Sequence, residues 1–347
     1  QQTLAQDLHG TPAPTGTLSL QTLQTLFKDW EWLWHFEGEV PDDHPPAGPH
    51  QHHLVQVILK KPQRPASQGL SQALNSRLSQ THLGVSLGWR SPLIKLFENL
   101  QQLSFIEIMG DDYLDPMWDS TLLALSQRYQ ILLHGVELSV GTPGPIDTQY
   151  LAEIRRLADR THCPWWSDHL CYTRTHRHRT FSLNPLPTTE EALQVVVERA
   201  KAAQAYVGKP LLLENAAYYW QNHLPAQMPD ALFLKQIVEQ ADCGILLDVA
   251  NLYGNAHNLG MDPYAYIDAL PHDRVLQIHL AGGQHRGPLH LDTHDSSVHQ
   301  ETWKLFNYAL KRCDVRAVIL ERDANFEDLT DVIEDLQTAQ SQWGLRL

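Results

Sequence analysis

Cysteine is scarce in this chain. Cys163, Cys171, Cys243 and Cys313 are the four among 347 residues, and no two stand in a C-x-x-C spacing. That argues against a thiolate-held metal or an iron-sulfur cluster, and it predicts buried, reduced thiols and a cytoplasmic setting. Basic side chains are few as well: Lys and Arg number 26 against 40 Asp and Glu, for a formal charge of −14. Nucleic-acid affinity rests on neutralising phosphates with Lys and Arg, so a nucleic-acid partner is not expected, and an acidic cleft that holds cations fits better. No apolar run approaches membrane-spanning length. The first residues, QQTLAQDLHG, lack a basic stretch followed by an apolar one, so neither a transmembrane segment nor a signal peptide is expected. A Gly-rich phosphate loop is missing too: GVSLGW, at the first strand of the main repeat, does not match G-x-G-x-x-G.

What is present is an alternation. With 42% hydrophobic residues the chain can bury a sizeable core. From Leu83 onward short apolar runs recur: LGVSLG, FIEI from Phe105, ILLHG from Ile131, PWWSDHL from Pro164, PLLLEN from Pro210, CGILLDV from Cys243, VLQIHLA from Val275 and AVILER from Ala317. Helical patterns lie between them, among them Asp147 to Arg160, Thr188 to Val207, Asp230 to Gln240 and Val298 to Arg312. Eight strands alternating with helices predict an α/β fold, a (β/α)8 TIM barrel over residues 81–347. Residues 1–80 read as an N-terminal appendage: an amphipathic helix over Ser19 to Phe36, a Pro- and His-rich loop, PDDHPPAGPHQHH, and a short strand, LVQVILKK.

Polar residues that can bind metal end several of these runs. They are His134 after ILL, Glu214 after LLL, Asp248 after ILL, His279 in VLQIHLA, the pair Asp292 and His294 in LDTH, and Glu321 after AVIL. In a parallel barrel the C-terminal strand ends converge on one mouth, so residues far apart in sequence meet there. Any one of them alone is better explained as a helix cap or a hydrogen-bonded core group. Together they are harder to explain so, because burying several charges without a counter-ion is costly. Asp248 and Asn251 stand three residues apart where a strand is expected to turn into a loop, and Asp292 and His294 are expected on one face of an extended segment. Three imidazoles with carboxylates and no thiolate suit Fe, Mn or Zn, and so many donors suit more than one ion.

These stretches carry a resemblance. LLLEN, LLDVANLYGNAHNLGMDPYAYIDALP, QIHLAGG, LDTHD and ILERD, extended by HGVELSVGTPGPID, WSDHL and NPLPTTEEAL, resemble the multinuclear non-haem iron-dependent oxidative enzymes, the MNIO family, from about Leu83 to the C-terminal helix. The resemblance implies a TIM barrel of the xylose-isomerase-like superfamily with two or three iron ions at its mouth. It implies O2 as co-substrate and, as substrate, a residue, often cysteine, of a ribosomally synthesised precursor peptide, commonly presented by a partner protein. The family's metal ligands fall on His134, Glu214, Asp248, Asn251, His279, Asp292, His294 and Glu321. Asp168 and His169, in WSDHL, fall in the substrate pocket or behind the ligands. His169 and His257 are candidate general bases, with His257 placed in a loop overhanging the mouth. Three-iron members carry a His where this chain has Met109. A thioether suits a hard iron centre poorly, so two firmly held ions are expected, the third lacking its imidazole unless Glu107 or Asp111 holds it. The alternative is a divalent-metal-dependent isomerase or hydrolase on the same barrel.

Overall fold

A computed structural model describes residues 2–4, 31–44, 48–60, 81–100, 103–175, 178–220 and 227–345. The chain divides into two compact units, Gln1–Gln68 and Gly69–Leu347.

In the first unit three strands, β1 (Gln2–Leu4), β2 (Glu31–His44) and β3 (Gly48–Lys60), form an antiparallel sheet in the order β1-β3-β2. This corrects two expectations. Glu31 to Phe36 lie in a strand, not at the end of a helix, and the remainder of that helix lies outside the described residues. Trp32, Trp34 and Phe36 recur at a spacing of two, and aromatic residues favour strands, a signal that competes with the three-to-four spacing over the same stretch. The Pro/His-rich stretch is mostly strand as well, with Asp42 paired to His50 and Val40 to His52. Pro41 is tolerated because β2 is an edge strand, where a missing N–H leaves no ladder bond unmade.

The second unit is a parallel barrel. Its eight strands are β4 (Gly84–Leu87), β5 (Phe105–Met109), β6 (Gln130–Gly135), β7 (Trp166–His169), β10 (Leu211–Glu214), β11 (Gly244–Asp248), β12 (Val275–Leu280) and β15 (Ala317–Leu320). They run in the order β4-β15-β12-β11-β10-β7-β6-β5. A bridge from Gly88 to Glu107 links the first strand to the second and nearly closes the ring. All eight expected strands are present. Two hairpins interrupt the alternation, β8 (Tyr172–Arg174) with β9 (Arg179–Asn184), and β13 (Gln284–Arg286) with β14 (Leu289–Leu291).

The helices between strands are α1 (Ile94–Asn99), α2 (Asp119–Arg128), α3 (Thr148–Thr161), α4 (Glu190–Val207), α5 (Asp230–Ala241), α6 (Val249–Leu259), α7 (Pro263–Ala269), α8 (Gln300–Leu310) and α9 (Thr330–Gly344). Their ends follow from local chemistry. Asp147 caps α3 by accepting from Gln149 N and Tyr150 N, and Thr189 caps α4 through Ala192 N. Gly208 closes α4 at φ +78°, a left-handed turn glycine adopts without strain. No helix among the described residues is long and apolar enough to cross a membrane.

The strand period places the site. Phe105, Leu132, Trp165, Leu212, Leu246, Leu276, Ala317 and Ile319 form a small buried cluster of their own, drawn from six strands and the residue before β7, which fills the barrel interior. Two residues further along five of those strands stand Glu107, His134, Glu214, Asp248 and Glu321, so one inward face turns from apolar to ionisable. In β12 the register steps from Ile245↔Val275 to Leu246↔Gln277, and this bulge brings Gln277 and His279 inward. The larger cluster packs the outer strand faces against the helices.

Candidate metal centre

Four overlapping groups of donors occupy the mouth: Glu107, His134 and His279; His134, His169 and Glu214; Glu214, Asp248 and His279; and Asp248, His294 and Glu321. Within each group the donor atoms lie within 4.8 Å of one another. Most of these side chains are buried, and His279 is inaccessible to solvent.

Glu214 sits at the centre. One carboxylate oxygen, Oε2, is 3.3 Å from His134 Nε2 and 3.4 Å from His169 Nε2, and the other, Oε1, is 3.5 Å from His279 Nδ1. His134 is fixed from behind: its Nδ1 is 2.9 Å from Ser167 Oγ, whose own hydroxyl reaches Leu133 O. Ser167 therefore accepts from Nδ1–H, and the Nε2 lone pair faces the Glu214 carboxylate. Two electron-rich atoms facing each other at that distance call for a proton or a cation between them. His279 lies between carboxylates, Nε2 at 2.8 Å from Glu107 Oε1 and Nδ1 at 3.0 Å from Glu321 Oε2, the second contact without hydrogen-bond geometry. Gln277 donates to the other Glu107 oxygen, which fixes that carboxylate.

Asp248 does two things at once. Its Oδ1 accepts from Ala250 N at 2.7 Å and Asn251 N at 2.8 Å and so caps α6, while Oδ2 is buried without a hydrogen-bond partner. Asn215 brackets its backbone, donating to Asp248 O and accepting from Asp248 N. Asn251 donates to Asn215 O, and its Oδ1 is another buried atom without a partner. Asp248 and Asn251 thus begin a helix, where a loop was expected; the side-chain cap is the physical reason. Asp292 and His294 also differ from expectation. The strand ends at Leu291, and His294 turns into the left-handed region at φ +48°. That turn brings His294 Nε2 to 2.6 Å from Asp292 Oδ1 and its Nδ1 to 3.0 Å from Asp323 Oδ2. Arg90 backs the rim, donating to Glu321 at 3.2 Å and to Asp323 at 2.6 Å.

The charges are mutually arranged. Burial opposes ionisation of Glu214, but the His169, His279 and His134 imidazoles outweigh it and hold the carboxyl down at about 2. Burial disfavours a charged His279 and a charged His294. Carboxylates overcome it in both, Glu107, Glu321 and Glu214 for the first and Asp292 and Asp323 for the second, raising each well above the ordinary value. In His134 burial prevails and the imidazole is pushed down. Asp248 is pushed well up by burial, with Glu214 and Asp292 adding to it. The protons that balance this cluster sit on atoms a cation would use, so metal uptake would release them.

Three expected residues stand apart. Asp168, on the alternate face of β7, accepts from Leu138 N at 3.1 Å and from Tyr150 OH of α3 at 3.2 Å, outside the donor groups. Asp111 accepts from Val136 N at 2.8 Å and is likewise in none of them. His257 is exposed within α6, not in a loop, and its Nε2 contacts Pro288 O at 3.2 Å. Glu107 and His169 join the donors more intimately than sequence reasoning placed them; the inward period of two along β5 and β7 was the available signal. A groove of about 560 Å³, lined by Leu186, Tyr218, Trp220, Met228, Met261 and Tyr266 among others, shares no residue with the donor groups. All four cysteines are buried.

A family model described as RiPP precursor modification enzyme MbnB/TglH/ChrH matches residues 84–343. A UPF0276 protein of Caulobacter vibrioides is 37% identical over 267 residues, covering 75% of this chain and 94% of its own length. One from Rhizorhabdus wittichii is 36% identical over 275 residues, covering 78% and 95%. Among solved structures, endonuclease IV from Thermus thermophilus superimposes with a TM-score of 0.50 at 16% identity, over 76% of this chain and 99% of that one, a likeness of fold alone.

Proposed function

We infer the chemistry from one premise: this chain belongs to the MbnB/TglH/ChrH family of RiPP precursor modification enzymes, the MNIO family. The function proposed is oxidative modification, with O2, of a residue in a ribosomally synthesised precursor peptide, a cysteine in the first instance, with a partner protein presenting the peptide. The observation that carries a metal-dependent reading is the set of buried donor atoms at the mouth without hydrogen-bond partners: Glu214 Oε2, Asp248 Oδ2, Asn251 Oδ1, His279 Nδ1 and His294 Nε2. Orphaned polar atoms are costly to bury, and here they converge. Imidazole, carboxylate and amide oxygen, without thiolate, fit iron. Bound iron would supply redox capacity toward O2 and Lewis acidity toward a substrate thiol.

The chain's own residues divide that work. His134, His169 and Glu214 would hold one ion, and Asp248, Asn251, His279, Asp292, His294 and Glu321 would supply a second, with the two oxygens of Glu214 facing both. Glu107 is better suited to orient than to bind, because one oxygen accepts from Gln277 and the other lies 2.8 Å from His279 Nε2, on the far side of the ring from Nδ1. It does not replace the imidazole missing at Met109, and two firmly held ions remain the proposed count. Ser167 fixes the His134 tautomer, Asn215 fixes Asp248, and Arg90 aims Glu321 and Asp323. In this arrangement His169 serves as a ligand rather than as the general base, because a metal-bound imidazole nitrogen has no lone pair left to take a proton. His257 lies among other histidines, away from the donor groups of the mouth.

The test is reconstitution with ferrous iron under anaerobic conditions, then exposure to O2 with a cysteine-bearing precursor peptide and its presenting protein. The expected result is an O2-dependent change in peptide mass that is lost when iron is chelated. A colourless, zinc-loaded protein with turnover in the absence of O2 would overturn the proposal in favour of an isomerase or hydrolase.

A further inference from the structure

A second group of histidines stands outside the mouth. His285 and His290 face each other across the antiparallel ladder of β13 and β14, which puts both rings on one face of the hairpin. His299, the residue before α8, completes a triad whose donor nitrogens lie within 4.8 Å of one another. His257 of α6 adds a fourth ring, 4.8 Å from that of His285 between centroids.

Aromatic packing alone accounts poorly for this arrangement. His290 is only 3% exposed, yet its Nε2 is buried with no hydrogen-bond partner, an expense that packing leaves unrelieved. The neighbouring rings are set in the tautomer a metal needs. His299 Nε2 lies 2.9 Å from Gly283 O and His257 Nε2 lies 3.2 Å from Pro288 O. A carbonyl only accepts, so each Nε2 carries the proton and each Nδ1 keeps its lone pair. The surroundings hold His290 in place: Asn258 accepts from its N–H at 2.8 Å and donates to its carbonyl at 3.0 Å. A Cβ at position 283 would stand 2.5 Å from His290 Cε1, so glycine there is what lets the ring approach.

We propose that His285, His290 and His299, with His257 beside them, form a second metal site that takes a borderline divalent transition ion of the Zn2+, Cu2+ or Ni2+ class. Neutral imidazoles without carboxylates suit these ions better than Mg2+ or Ca2+. An ion there ties the β13–β14 hairpin to the start of α8. Asp292 and His294 follow β14 directly, so the same ion steadies the segment that brings two donors to the mouth. The inference rests on the hairpin geometry and is independent of which metal the mouth holds.

The test uses the full chain titrated with Zn2+, and with Co2+ for its visible absorption, in three forms: wild type, His285→Ala/His299→Ala, and the mouth variant Glu214→Ala. His285 is exposed, so its loss leaves the fold in place, as a circular dichroism melt would check. The expected result is a nitrogen-rich Co2+ spectrum and a tight Zn2+ equivalent that survive in Glu214→Ala. In the double histidine variant that equivalent weakens by about 100-fold while the mouth's ions stay. Unchanged Zn2+ stoichiometry and affinity in the double variant would overturn the proposal. Should Glu214→Ala unfold, wild type against the double variant decides by itself.

Discussion

The mouth and the hairpin both gather histidines, and they do so in opposite electrostatic company. At the mouth, carboxylates surround the rings, so His279 and His294 are pulled upward and Glu214 and Glu321 downward, until donor and counter-charge are the same residues. On the hairpin burial and three neighbouring imidazoles push His290 down, and Asp292 opposes them only weakly. A carboxylate-rich nest stabilises high positive charge and suits iron, whereas an imidazole set suits a borderline divalent ion of the Zn2+, Cu2+ or Ni2+ class. The difference also lies in the backbone. Most mouth donors sit at the ends of barrel strands, while His285, His290 and His299 sit on an excursion between a strand and a helix, a place where an ion supplies stiffness the fold does not.

Glu214→Gln should break the comparison most strongly, because this one side chain faces donors of both proposed mouth ions. If roughly 10–16 kcal/mol of metal binding is shared among about four ligands, losing one costs about 3 kcal/mol, or about 100-fold in affinity. Metal analysis after equilibrium dialysis should show the mouth ions lost and the hairpin ion retained. Retention of full mouth occupancy would remove Glu214 from its central role. Asp248→Asn is next, and it separates two functions. Asparagine caps helices as well as aspartate does, so the melting temperature of the metal-free chain should hold, while the loss of Oδ2 charge should weaken a single mouth ion by about 10- to 100-fold. A fall in metal-free stability of more than about 1 kcal/mol would mean that the residue serves α6 more than metal.

Much of this was legible beforehand because a barrel writes itself twice in sequence, as apolar runs and as polar residues at their ends. LLLE, ILLD and AVILE each show an apolar pair of layers followed by a carboxylate, and the strand period does the rest. Less legible were features set by single contacts. The bulge in β12 that turns Gln277 and His279 inward comes from pairing with β11, which no local pattern states. Asp168 and His169 are adjacent, so the same motif offered both to the mouth. Only the alternation along β7 decides that His169 faces Glu214 and Asp168 faces Tyr150. His257 resembled a loop residue because Asn251, Gly254 and Asn255 are poor helix formers; the Asp248 cap and burial of Val249 and Leu252 overrule them. The hairpin histidines, scattered at 257, 285, 290 and 299, lacked any spacing that signals a site.

Glu107→Gln tests orientation against ligation. An amide keeps the shape but removes the negative charge beside His279 Nε2, so a positioning role predicts about a tenfold loss of affinity at one ion with the ion count unchanged. A stoichiometric loss of an ion would instead make Glu107 a ligand and revive a third site despite Met109.

The smallest effect is the pH response of the hairpin in metal-free protein. His290 is depressed to about 4 in the fold against an ordinary value of 6.5. Between those values the unfolded chain binds the extra proton, so stability rises with pH across that window. The contribution is complete above 6.5 and is lost as pH falls toward 4. Allowing for the exposed rings around it, about 1–2 kcal/mol should disappear over that range, visible as a falling midpoint in urea titrations. His290→Asn removes the titration and should flatten that part of the profile. Saturating Zn2+ should steepen it, because protons then compete with the ion for the same lone pairs. A wild-type profile that stays flat from pH 7 to 4 would place His290 in a hydrated, protonatable setting and erase the electrostatic contrast with the mouth.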